Sequence, residues 1–97
     1  MDSLFKDLRV IDAASFVAGP GAATILGDFG ADVIKVEAPA GDAYRLLHGR
    51  HRHDYNWALT SRHKRDIALD LNQAAGRDVL HQLVAQADVF IHNFRAD

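Results

Sequence analysis

Apolar residues occur along this chain as short unbroken runs separated by helical stripes and one long polar stretch. Leu8 to Ala14 (LRVIDAA) is apolar without strict alternation, the pattern of a strand buried on both faces of a parallel sheet. In the following SFVAGPGAATILGDFG, Pro20 suits a first helical turn, and Ala22, Ala23, Ile25, Leu26 and Phe29 form an apolar stripe. Gly30 supplies the left-handed residue that commonly closes a helix. ADVIKVEA predicts a second strand centred on Val33, Ile34 and Val36. Periodicity then vanishes from Pro39 to Trp57, a long polar and basic excursion. It resumes with DIALDL (Asp66 to Leu71), a third strand. NQAAGRDVLHQLVAQA predicts a helix capped by Asn72, with Val79, Leu80, Leu83 and Val84 facing the sheet. DVFIHN is the last strand. The order β-α-β, loop, β-α-β predicts an α/β protein with a parallel sheet built from βαβ units. Because no helix follows the last strand, the sheet is expected to be half covered. A continuation of the polypeptide or a partner subunit is then expected to pack on it.

Composition narrows the function classes. Ninety-seven residues, 48% hydrophobic and 25% charged, fit one small globular domain. A net charge of −2 offers no general attraction to nucleic acid or an anionic membrane. The absence of cysteine removes disulfides and thiolate chemistry. No apolar run approaches the roughly 20 residues that span a bilayer, so a cytoplasmic, non-membrane protein is expected.

Several motifs stand where chemistry could occur, because ligands of parallel α/β proteins bind at the carboxyl ends of the strands. GPGAAT (Gly19 to Thr24) resembles the dinucleotide fingerprint, and Glu37 stands eighteen residues after Gly19, near the place of a ribose-binding acid. Against this, Thr24 occupies the position of the third small residue and Pro20 lacks an amide N–H, so glycines that serve only the turn are the alternative. HGRHRH (His48 to His53) has alternating histidines but no cysteine or defined acidic partner, and is read as a solvated basic loop rather than a metal site. SRHKRD brings Arg62, Lys64 and Arg65 to the start of a strand. With Arg45, Arg50 and Arg52 they would make a basic rim for a ligand carrying several phosphates. Asn93, Phe94 and Arg95, delivered behind the last strand, have the character of a binding lip.

The ordered set LRVIDAASFVAGPGAATILGDFGADVIKVEAPAGDAYR, SRHKRDIALDLNQAAGRDVL and ADVFIHNFRAD resembles the amino-terminal segment of the family III CoA-transferases, which include formyl-CoA transferase and the related α-methylacyl-CoA racemases. The resemblance covers essentially all of residues 1–97. It implies a Rossmann-like segment that holds coenzyme A at the strand ends, and a full-length enzyme, an interlinked homodimer, that moves CoA between an acyl-CoA and a free carboxylic acid. It implies that Val17 and Ala18 lie on the loop whose backbone approaches CoA, that Lys64 is the lysine of a basic turn, and that Asn93, Phe94 and Arg95 line the nucleotide site. No metal is implied. The catalytic aspartate of the transferases lies beyond the NFR loop, so no residue here is assigned a catalytic role, and the chain is expected to be a truncated part that holds CoA without turning it over. A racemase fragment and a non-catalytic, NAD-like nucleotide module are the alternatives.

Overall fold

A computed structural model describes residues 4–47 and 55–96. Its elements run β1 (Arg9–Asp12), α1 (Ala18–Asp28), β2 (Asp32–Glu37), α2 (Ala43–Leu47), α3 (Tyr55–Thr60), β3 (Lys64–Ala68), α4 (Ala74–Ala85) and β4 (Val89–Ile91). The four strands form one parallel sheet in the order β3-β2-β1-β4. The step from β1 to β2 runs one way across the sheet and the step from β3 to β4 runs the other way. With crossovers of one hand, the two connecting helices must fall on opposite faces.

The side chains agree. Val10 and Val33 pack with Ala23, Leu26 and Ala31 beneath α1, and Ile11, Ile34 and Val36 pack with Leu80, Leu83 and Val84 beneath α4. Strand alternation therefore puts Asp12, Lys35 and Glu37 on the α1 face, with Lys64 beside Val33 and Asp66 beside Lys35. The reversal of direction between β1 and β4 opens a crevice at their carboxyl ends, the usual ligand position in such sheets.

No side chain caps the first turn of α1, and its C-terminus is closed by glycine. Pro20 has no N–H to lose, and its carbonyl accepts the Thr24 hydroxyl at 2.8 Å. Gly30, at φ 100°, ends the helix with its N–H on the Gly27 carbonyl, while the Ala31 N–H reaches Leu26, a Schellman pair.

The structure corrects several predicted boundaries. The third strand begins at Lys64, two residues before the predicted start, because Lys64 pairs with Val33 and tucks its stem under the sheet. α2 forms within the excursion from Pro39 to Trp57 and α3 begins near its end, each too short to show a stripe; His48 to His53 lie outside the described residues. Gln73, not Asn72, precedes α4, and the Asp70 carboxylate takes the Asn72 N–H instead. On α1 the buried residues are Pro20, Ala23, Thr24 and Gly27, while Ala22, Ile25 and Phe29 face outward. Val79 is also outward on α4. Small residues on the inner side let α1 approach the sheet closely, which leaves the larger ones outside.

Candidate functional site

A cleft of about 230 Å³ crosses the carboxyl ends of all four strands. Ala13 and Ser15 after β1, Glu37, Gly41 and Asp42 at and after β2, Leu69 and Asp70 after β3, and Phe94 after β4 line it. Phe94 is 48% exposed at the lip. Its N–H donates to His92 Nδ1 at 3.2 Å, and the rings of Phe90, His92 and Phe94 follow one another along β4 with successive centroids 5.3 and 5.1 Å apart.

The loop from β1 to α1 borders the cleft, and side chains hold its backbone at five points. Asp12 Oδ1 accepts the Ala14 N–H at 3.1 Å, and the Lys35 ammonium donates to the Ala14 carbonyl at 3.0 Å. Asn93 bridges the strand-order reversal by accepting the Ser15 N–H and donating to the Ser15 carbonyl, both at 3.0 Å. Asp42 Oδ1 accepts the Phe16 N–H at 3.3 Å. Phe16 is left-handed, at φ 68°.

Beneath this loop lies a neutral group of two carboxylates and two ammoniums. Lys35, 1% exposed, pairs with Asp42 at 3.0 Å and Asp12 at 3.7 Å. Lys64 meets Asp12 at 2.8 Å and the Pro20 carbonyl at 2.8 Å. Burial pulls the Lys64 ammonium below its ordinary value, and Asp12 opposes that shift. Four buried charges are tolerable only when each is paired and hydrogen-bonded, as these are.

A second group flanks the first. Arg45 grips Glu37 through two bonds, 2.8 and 3.1 Å, reaches Asp66 at 3.2 Å, and lies over the Trp57 ring with its guanidinium carbon 4.2 Å from the centroid. Burial acts to raise the Glu37 carboxyl, but hydrogen bonds from Arg45, Asp66 and the Asp42 amide outweigh it and hold the group at about 2. Asp66 is pushed up to about 6, by burial first and then by its hydrogen bond with Glu37 and that group's charge.

These placements bear on the residues read from the sequence. Val17 and Ala18 stand exposed where the loop enters α1, and the loop residues that line the cleft are Ala13 and Ser15. Asn93 faces the loop backbone and Phe94 the cleft; Arg95 is exposed just beyond. The Lys64 side chain is 2% exposed and lies under the loop. The basic rim does not form from its described members: Arg45 is on Glu37 and Asp66, Arg62 on Asp28, Lys64 on Asp12 and Arg65 on Asp32. Arg50 and Arg52 lie outside the described residues. Glu37 is engaged by Arg45 and the Asp42 amide, which leaves the dinucleotide reading without a free ribose-binding acid. Asp12, Lys35, Asp42 and Trp57 were not singled out from the sequence. The signal for two of them was present, since VIDAA and VIKV each place one charge inside an apolar run.

The strand order and the cleft across the carboxyl ends define a Rossmann-like α/β protein. Residues 5–97 match CoA-transferase family III, and the chain belongs to that family. The alpha and beta subunits of the succinyl-CoA--L-malate CoA-transferase of Chloroflexus aurantiacus are 42% and 47% identical to it, each over 91% of this chain and 22% of its own length. The cinnamoyl-CoA:phenyllactate CoA-transferase of Clostridium sporogenes is 35% identical over 96% of this chain and 24% of its own. The crystal structure of a CAIB/BAIF family protein from Brucella suis superposes with a TM-score of 0.85 at 37% identity, covering 97% of this chain and 26% of that one. The chain thus spans about a quarter or less of the length of these relatives. Among the described residues no helix is long and apolar enough to cross a membrane.

Proposed function

We propose that this chain is the coenzyme A-binding part of a CoA-transferase that moves CoA between an acyl-CoA and a free carboxylic acid. The observation that carries the reading is the cleft across the four strand ends, with a half-exposed aromatic ring at its lip and a pinned loop along its border. CoA supplies the thiol of the thioester that such an enzyme exchanges; this chain's residues would bind and orient it. Phe94 offers a face to the base, and Val17 and Ala18 offer backbone along the ligand's path. Arg95 provides a cation beside the lip. Lys64 and Asn93 serve from behind, Lys64 by neutralising Asp12 under the loop and Asn93 by holding Ser15. The same reading places the chain in a multi-subunit enzyme, as an interlinked homodimer; the alpha and beta subunit names of two relatives favour assembly of more than one chain.

Calorimetric titration with free CoA, with NADH as comparator, tests the binding. Saturable CoA binding is expected, weakened on the order of tenfold by Phe94→Ala, about the effect of losing one stacked ring. A folded chain that ignores CoA, or that prefers NADH, would overturn the reading.

A further inference from the structure

Phe16 holds a left-handed backbone without the usual reasons for doing so. It is not glycine, and its ring is 48% exposed, so burial of the side chain does not compensate for the conformation. Something on the backbone must impose it. The residue before it is clamped by Asn93 and the one before that by Lys35 and Asp12, but the Phe16 amide itself has a single described partner, Asp42 Oδ1.

Asp42 is built for this task. It is 4% exposed and follows Gly41, whose φ of 94° turns the chain back toward the sheet. Its own N–H donates to Glu37 at 2.8 Å, and Oδ1 also accepts the Tyr44 N–H at 2.9 Å. Oδ2 is anchored by Lys35 at 3.0 Å, the same ammonium that takes the Ala14 carbonyl. The carboxylate can therefore neither rotate away nor move toward solvent without breaking its three contacts, to Phe16, Tyr44 and Lys35. It also lines the cleft.

Resting on the CoA-binding reading above, we propose that Asp42 is a positioning residue: with one oxygen fixed by buried Lys35, it holds Phe16 left-handed and so sets the course of the loop that lines the cleft through Ala13 and Ser15 and leads through Val17 and Ala18 into α1. The effect of Asp42 on affinity is transmitted through residue 16, whose N–H its carboxylate accepts.

Two substitutions separate this role from a general contribution to the fold. Asp42→Ala and Asp42→Asn both deprive Lys35 of a carboxylate, so the charge imbalance is common to them. Only Asp42→Asn keeps an oxygen for the Phe16 N–H. The first readout is the intraresidue HN–Hα nuclear Overhauser effect at Phe16, which is strong for positive φ and needs no ligand; the second is CoA affinity by calorimetry. Asp42→Asn is expected to keep the strong signal, whereas Asp42→Ala loses it and binds CoA on the order of tenfold more weakly than Asp42→Asn. A folded Asp42→Ala that retains the signal overturns the proposal. So does a loss of signal with no loss of affinity, which would leave the CoA reading standing. If the signal responds as expected but the parent chain binds no CoA, the loop-holding role stands and the CoA reading fails. Should neither Asp42 variant fold, Phe16→Gly and Phe16→Ala decide. Glycine must resist denaturant better and bind CoA at least as tightly, and the reverse order overturns the proposal.

Discussion

Glu37 and Asp66 show what a shared guanidinium does to two neighbouring carboxyls. Arg45 takes both oxygens of Glu37 but only one of Asp66. Hydrogen bonds from Arg45 and its neighbours outweigh burial and hold Glu37 at about 2, while burial and then Glu37 raise Asp66 to about 6 against the pull of Arg45. The sign of each effect on stability follows from where the proton binds more tightly. Asp66 holds its proton more tightly in the fold than at its ordinary 3.8. Its stabilising contribution is therefore complete below pH 3.8, declines as pH rises, and is gone above about 6. Glu37 behaves oppositely, contributing fully above its ordinary 4.5 and losing that contribution as pH falls toward 2. Because Asp66 is about one-third exposed, solvent screening cuts its term to roughly 1 kcal/mol. Denaturant unfolding from pH 4.5 to 7 should show the parent chain losing about that much stability relative to Asp66→Asn. Parallel profiles for the two chains would mean that Asp66 is not raised.

At the scale of elements, the two glycines of GPGAAT prove unlike each other. A Cβ on Gly19 would stand 2.4 Å from that of Ala14 and 3.4 Å from Ile91, whereas one on Gly21 would meet nothing within 4 Å. Gly19 is thus required by the close approach of α1 to the strand ends, and Gly21 only lowers helix propensity. Gly19→Ala should cost about 1–3 kcal/mol as α1 is forced off the sheet. Gly21→Ala, the same change two residues on, should stabilise by ~0.5–1 kcal/mol. Thermal unfolding of the two variants checks the pair, and equal effects would deny that α1 docks through Gly19. These glycines also show how far elements could be read in advance. Both βαβ units were visible because apolar runs, Pro20 and Gly30 act locally. The start of β3 was not, because Lys64 and Arg65 are polar residues whose strand conformation depends on carboxylates and a neighbouring strand distant in sequence. The short α2 and α3 were likewise hidden, since Arg45 and Trp57 stack on each other across the gap between them and form no stripe within either helix.

For the molecule as a whole, the same long-range pairing explains why a site could be located at the strand ends but not assembled from the sequence. The topology put Asp42 and Asn93 within reach of the loop that carries Ser15 and Phe16, and nothing in their spacing announced it. Their joint effect is to tie the carboxyl ends of β1, β2 and β4 together above a buried ion group, while both faces of β1 and β2 are covered by α1 and α4. The edge strands have no such protection: β3 has only Lys64 and Ile67 half-buried and its other residues exposed, and β4 contributes three residues with Phe90 uncovered. Opening of the fold should therefore begin at the edges and reach the centre last. Native-state hydrogen exchange is expected to find the slowest amides at Ile11, Ile34 and Val36, with faster exchange in β3, β4 and α3. Lys35→Met, which leaves Asp42 without its anchor and the Ala14 carbonyl without its donor, should speed exchange in β1 and β2 more than in α4. If β1 and β2 exchanged as fast as β3 in the parent chain, the buried ion group would not be what holds the strand ends together.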